Sequence, residues 1–267
     1  MPGLAEELPE SICVRVTRRC NAACSFCQAP PTSRAEISVH DIGRMARFFA
    51  RNGVRSLKLS GGEPTVRDDL PEIIRAVAAA GPRPVVITNG IAVPERVMGA
   101  CAEVGGEFKF SVHRPSREND AILRRRSFDA VRENMAAVVG RKIRLSVNCV
   151  VTPVSAKLMA EMIEFACEVG AGKISFIPVV ARGRAREKGE FSFSPGELDA
   201  VIERMRELAR LYAERIVVRC IDIRSHDYWI VENDGSLWVE RATEEADRRI
   251  CGKQLLAREE SSIEGVA

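Results

Sequence analysis

The chain has 267 residues, 46% hydrophobic and 29% charged, an ordinary globular composition sufficient for one large α/β domain or two small ones. With 40 Lys and Arg against 37 Asp and Glu, the formal charge of +3 requires neither a nucleic-acid nor a membrane partner. No apolar run approaches the ~20 residues needed to cross a bilayer, and the acidic start MPGLAEELPE lacks the basic-then-apolar pattern of an export signal. Short β-rich runs then alternate with amphipathic stretches. Strands are expected over residues 12–17, 55–60, 84–88, 107–112, 142–151 and 172–179. Helices are expected over 39–52, 69–80, 94–104, 128–139, 155–170 and 194–215. The last of these opens on Ser194-Pro195, with Glu197 placed for a capping box.

Six β–α units in series imply a parallel sheet, because a right-handed crossover returns each strand beside the last. Periodicity alone does not choose between an open, doubly wound sheet and part of a barrel. After residue 215 the rhythm changes. Residues 216–223 read as one more strand, while 228–232 and 236–240 flank Asn233-Asp234-Gly235, a hairpin turn signal. Residues 242–267 are polar and expected to pack loosely. The simplest division is a domain over 1–216 and an extension over 217–267 that closes or flanks it.

The nine cysteines are expected in a reducing cytoplasm, where disulfides are rare and metal or redox chemistry gains weight. Three of them, Cys20, Cys24 and Cys27, fall in RRCNAACSFCQ directly after the first strand. That is the end of a β/α fold where ligands collect. Three thiolates on one loop can bind three irons of a 4Fe–4S cluster and leave the fourth open. Zinc usually takes four closed ligands in paired C-x2-C units, and no matching second pair follows. A zinc-binding module is the non-enzymatic alternative. Further along, the second strand runs into Gly61-Gly62-Glu63-Pro64, the third into Thr88-Asn89-Gly90, and the fourth into Ser111-Val112-His113.

C-x3-C-x2-C after a first strand, with Phe26 before the third cysteine and GGEP after the second strand, resembles the radical S-adenosylmethionine (SAM) superfamily. The likeness runs from residue 12 to the end of the sixth strand. It implies an α/β fold: a partial, laterally open (β/α)6 TIM-like barrel, here with a C-terminal β-hairpin extension. It implies one 4Fe–4S cluster on Cys20, Cys24 and Cys27, with SAM chelating the fourth iron. It also implies SAM contacts from Phe26, from Gly61, Gly62, Glu63 and Pro64, and from Thr88 and Asn89. Ser111 and His113 on the fourth strand, Asn148 on the fifth, and Ile177 and Val179 on the sixth complete that implied set. An electron donor such as ferredoxin or flavodoxin is implied too, since the family cleaves SAM reductively to a 5′-deoxyadenosyl radical that takes hydrogen from substrate.

The phrase VRVTRRCNAAC is similar to the pyranopterin synthases of molybdenum-cofactor synthesis, although only Cys220 and Cys251 lie beyond the sixth strand. Compact viperin-like nucleotide dehydratases are similar in size, but Ser56 stands where they carry a lysine. Strand alternation turns the polar set into the barrel, so Arg15, Lys58, Lys109 and Arg144 are expected to face one cavity. Four cations converging there point to a small anionic substrate bearing phosphate or carboxylate, of nucleotide or pterin-like type. A peptide- or protein-modifying enzyme is the alternative. Cys13, Cys149 and Tyr228 are positional candidates for a hydrogen donor, and no catalytic side chain is singled out. The clusters 124–126 and Arg182, Arg184 and Arg186 read as solvated faces, with Arg182 or Arg184 the candidates for a phosphate or SAM-carboxylate contact.

Overall fold

The computed structural model describes residues 7–30, 36–186, 189–222, 224–225 and 227–252. Its strands are β1 (Ser11–Thr17), β2 (Ser56–Gly61), β3 (Arg83–Thr88), β4 (Glu107–Ser111), β5 (Arg144–Val151), β6 (Lys173–Pro178), β7 (Val217–Cys220), β8 (Tyr228–Val231), β9 (Leu237–Glu240) and β10 (Arg248–Cys251). The helices are α1 (Val39–Arg51), α2 (Leu70–Ala79), α3 (Glu95–Glu103), α4 (Glu118–Leu123), α5 (Phe128–Gly140), α6 (Met159–Glu168) and α7 (Pro195–Leu211). Strands β1 to β7 follow one another in parallel, and β8 also lies parallel to β1 on its other side. The full order is β10-β9-β8-β1-β2-β3-β4-β5-β6-β7, so the sheet does not close.

The alternation seen in the sequence places the core. Ile12, Val14, Leu57, Leu59, Phe108, Phe110, Val147 and Phe176 are all buried in one apolar cluster with the helices that pack on the sheet. Helix α7 begins as its sequence demands: Ser194 Oγ accepts from Glu197 N, and the Glu197 carboxylate accepts from Ser194 N at 2.8 Å. The expected hairpin is β8–β9, antiparallel, with Gly235 N donating to Glu232 O at 2.8 Å.

Two elements differ from expectation. Helix α4 falls in a stretch read as loop. Six residues are too short to show a helical period, and its C-cap, Arg124, has a left-handed φ of 52° where glycine would ordinarily signal the end. Strand β10 lies in the polar tail read as loose. Its sequence RRIC has little β signal, and pairing with β9 supplies what its side chains do not. The end of the strand expected at 216–223 and residues 253–267 lie outside the described residues.

The C-terminal strands are tied to the barrel by charge as well as pairing. Arg15 on β1 donates to Glu240 at 2.7 and 2.8 Å and also to Glu232, which Arg18 holds at 2.9 Å. From the loop after β6, Arg182 donates to the Arg241 carbonyl at 2.9 Å and to Asp247 at 2.5 and 2.9 Å. The segment after β8 therefore joins both the first strand and the loop after the sixth.

Candidate active site

The cysteine loop leaves β1 at its C-terminal end and is held on three sides by backbone contacts. On the first side is the turn after β2: Gly62 N donates to Thr17 O and Glu63 N to Arg19 O, both at 2.8 Å. A Cβ at Gly61 would stand 2.2 Å from Thr17 O, and one at Gly62 2.2 Å from Arg19 O, so only glycine lets the two backbones meet. On the second side is the end of α4, where Leu123 O accepts from Ala23 N at 3.1 Å and Ile122 O from Ser25 N at 3.2 Å. On the third, Arg184 N donates to Cys27 O at 2.9 Å. A Cβ at Gly183 would approach that same oxygen to 2.5 Å.

Within this frame Cys20, Cys24 and Cys27 all line one cavity of about 330 Å³. Ala22 N lies 3.4 Å from Cys20 Sγ, and the Arg184 guanidinium donates to Cys24 O at 3.3 Å. Burial and the neighbouring thiols push Cys24 up to about 12, and burial raises Cys20 as well. Metal binding must therefore displace protons from these sulfurs, as thiolate ligation always does. Three thiols spread along a pinned loop suit a cluster in which each sulfur meets a different iron.

Glu63 is buried, and its carboxylate accepts from Thr65 N at 3.1 Å, Thr65 Oγ1 and Thr88 Oγ1 at 2.8 Å, and Asn89 N at 2.6 Å. Burial still raises its pKa, the four donors opposing that shift. Asn89 continues the network by donating to Asn21 Oδ1 at 2.7 Å. Thr88, Asn89 and Glu63 therefore connect β2 and β3 to the cysteine loop. Gly61, Gly62, Glu63, Thr88 and Asn89 line the cavity, whereas Pro64 is buried at the start of a 3-10 turn and does not.

Phe26 and His113 meet edge to face with centroids 4.9 Å apart. His113 is buried, which pushes its pKa down to about 3, and Nδ1 accepts from Val150 N at 3.1 Å. The ring is thus neutral at physiological pH, with its proton on Nε2. Ser111, Asn148, Ile177 and Val179 also line the cavity, on β4, β5, β6 and just beyond it.

The four expected cations part company. Lys58 and Lys109 line the cavity, and Lys109 is only 5% exposed. Neither has a hydrogen bond or ion pair among the described residues. Burial and the charges of Lys173 and Lys58 push Lys109 down to about 8, and burial lowers Lys58 too. Arg15 lines the cavity, but burial of its charge is outweighed by Glu240 and Glu232, which raise its pKa. Arg144 does not share the cavity. It is the first residue of β5, it is exposed, and it donates to the Gly105 carbonyl. Alternation gives the face of a strand but not the height along it, and Arg144 is level with Glu107, two residues before the Lys109–Ser146 pair.

Cys13 and Tyr228 line the cavity and hydrogen-bond to each other, while Cys149 is in the helix-side core. Arg219 and Ser175 also line the cavity but escaped the sequence reading. The alternation of VVRC would point Arg219 inward once β7 is known to pair beside β6. Arg182, read as solvated, is 7% exposed and ion-paired instead.

Residues 14–166 match the Radical SAM superfamily family model. A probable GTP 3′,8-cyclase of Metallosphaera sedula is 29% identical over 204 residues, 73% of this chain and 64% of that protein. A PqqA peptide cyclase of Xanthomonas axonopodis pv. citri is 29% identical over 228 residues, 83% of this chain and 60% of that protein. The chain thus spans less than two thirds of either relative. Streptococcus suis SuiB bound to S-adenosylmethionine superposes with a TM-score of 0.73 at 14% identity, covering 91% of this chain and 63% of SuiB. The structure of anSMEcpe with bound AdoMet and a Cp18Cys peptide gives 0.71 at 16% identity, covering 91% of this chain and 77% of that one. These likenesses show the partial-barrel fold.

Proposed function

Because the chain belongs to the radical SAM superfamily, whose enzymes use a 4Fe–4S cluster and SAM, we propose that it takes a hydrogen atom from a small anionic substrate held in the barrel cavity. When bound, the cluster supplies one electron that cleaves SAM to methionine and a 5′-deoxyadenosyl radical. The protein's part is to position and to exclude. Cys20, Cys24 and Cys27 would hold the cluster on the loop pinned by the Gly61-Gly62 turn. Glu63, Thr88 and Asn89 would keep the neighbouring strand ends in register, so that the backbone of the turn faces SAM. Phe26 and His113 would wall its nucleoside side, with Nε2–H as a fixed donor. Ser111, Asn148, Ile177 and Val179 would complete the SAM wall.

One observation carries the anionic reading: Lys58 and Lys109 face the cavity holding the cysteine loop, with no hydrogen-bonded carboxylate among the described residues. A peptide substrate is the second reading, favoured by relatives named as peptide cyclases. Anaerobic reconstitution followed by SAM, dithionite and panels of phosphorylated metabolites, carboxylates and short peptides separates the two. An anionic metabolite should accelerate 5′-deoxyadenosine formation. Acceleration by peptides alone would replace the first reading with the second, and a protein that retains zinc and cleaves no SAM would defeat both.

A further inference from the structure

We propose that Lys58, Lys109, Ser175 and Arg219 form a cradle for a phosphoryl group, at the end of the cavity remote from the cysteine loop. This rests on the reading of an anionic substrate and narrows it to one chemical class. The four side chains come from β2, β4, β6 and β7 and line one cavity. Lys58 precedes Gly61 by three residues, which puts it roughly 10 Å down the strand from the turn that faces the cysteine loop. Lys109 and Ser175 each lie two residues below Ser111 and Ile177 on their own strands. A ligand gripped here would extend its other end toward the cluster.

Charge decides between phosphoryl and carboxylate. Lys58, Lys109, Lys173 and Arg219 lie within one another's fields. Glu107 is the carboxylate acting on both cavity lysines, but it accepts from Ser146 Oγ at 2.7 Å and pairs with Lys173 at 3.3 Å. Glu107 is thus taken up by Lys173 and, at 3.7 Å, by Arg83. That leaves a surplus of three positive charges on the cavity: buried Lys109, half-buried Lys58, and Arg219, which is exposed to solvent. The other titratable groups facing Lys58 do not reduce it: burial raises the pKa of both Cys13 and Tyr228, which keeps them neutral. Arg15 close by is already matched by Glu232 and Glu240. A single carboxylate would leave two of the three charges unmet, whereas a phosphate monoester or diphosphate meets two or three.

Hydrogen bonding agrees. Ser175 is 3% exposed, and its Oγ is buried with no partner among the described residues, a costly state that a ligand acceptor would relieve. Donors from four strands also suit a tetrahedral oxygen set better than a planar one with two oxygens.

The test is calorimetric titration of the reconstituted, SAM-loaded protein at low salt and pH 7 with inorganic pyrophosphate, inorganic phosphate and succinate. Pyrophosphate should bind at least tenfold more tightly than succinate. Lys109→Met and Lys109→Gln should each weaken it tenfold or more, Ser175→Ala severalfold, and all three should leave SAM affinity unchanged. Succinate binding as tightly as pyrophosphate would overturn the phosphoryl assignment while the anionic reading stands. Binding of none of the three probes, or pyrophosphate binding untouched in both Lys109 variants, would overturn the cradle. The first of those results would remove the anionic reading as well.

Discussion

Glu63 gathers four donors on one buried carboxylate, two from Thr65 and one each from Thr88 and Asn89. Replacing it by glutamine turns an acceptor into an NH2 group facing those donors. Glu63→Gln should cost about 2 kcal/mol in urea unfolding and weaken SAM binding, which equilibrium dialysis would read. Lys109 makes the opposite prediction. Its folded pKa of about 8 lies below the ~10.4 of an unfolded lysine. A charged Lys109 therefore opposes folding below pH 8, and that penalty fades as pH rises toward the unfolded value. Without ligand, Lys109→Met should gain about 1–3 kcal/mol at pH 7 and much less at pH 10. Urea titrations at the two pH values would check this, and an equal gain at both would refute it. A gain at pH 7 alone would mark Lys109 as a residue whose charge opposes folding, as groups kept for binding often do.

Among elements, the turn after β2 and the C-terminal hairpin hold the site from opposite sides. The turn works by close approach. Gly62→Ala would drive a methyl into Arg19 O and push the cysteine loop away, at a cost of about 1–3 kcal/mol. Its signature should be lost iron and a weakened absorption near ~400 nm after reconstitution. The hairpin works by charge. Arg15 lies between Glu232 and Glu240, whose side chains are 15% and 13% exposed. Without Arg15, Glu232 would keep Arg18 at 2.9 Å and Glu240 would keep only Arg182 at 3.6 Å, so the loss of these charged hydrogen bonds should cost about 1–3 kcal/mol. Arg15→Gln should therefore destabilise by that amount, and adding Glu240→Gln should recover part of it in a double-mutant cycle. Arg15 thus supports the cavity wall, and its loss would be felt by fold and substrate together.

For the whole molecule, β7 extends the sheet beyond β6, while β8, β9 and β10 extend it beyond β1. No helix among the described residues is long and apolar enough to cross a membrane. A chain ending at residue 221 would lose the strand beside β1 and strand the Arg15 charge, so it should lack a cooperative thermal transition by circular dichroism. The full chain, reconstituted without oxygen, should carry about four irons and not eight. Of the six other cysteines, Cys101 and Cys149 are buried in the core, Cys13 lines the cavity, Cys167 lies on α6, and Cys220 and Cys251 occupy the two outermost strands, β7 and β10. By itself the sequence determined the repeating β–α units, the capped start of α7, the hairpin turn, the cysteine spacing and the glycine pair, because each is written in neighbouring residues. Tertiary structure alone decided which cations share the cavity. Arg15, Lys58, Lys109 and Arg144 look alike in strand alternation. Only their height in the barrel and the carboxylates brought from residues 232 and 240 separate a neutralised wall, two uncompensated lysines and an exposed arginine. It also brought Ser175 and Arg219 beside those lysines, since local pattern gives a side chain's face and carries no record of which strands meet across a sheet.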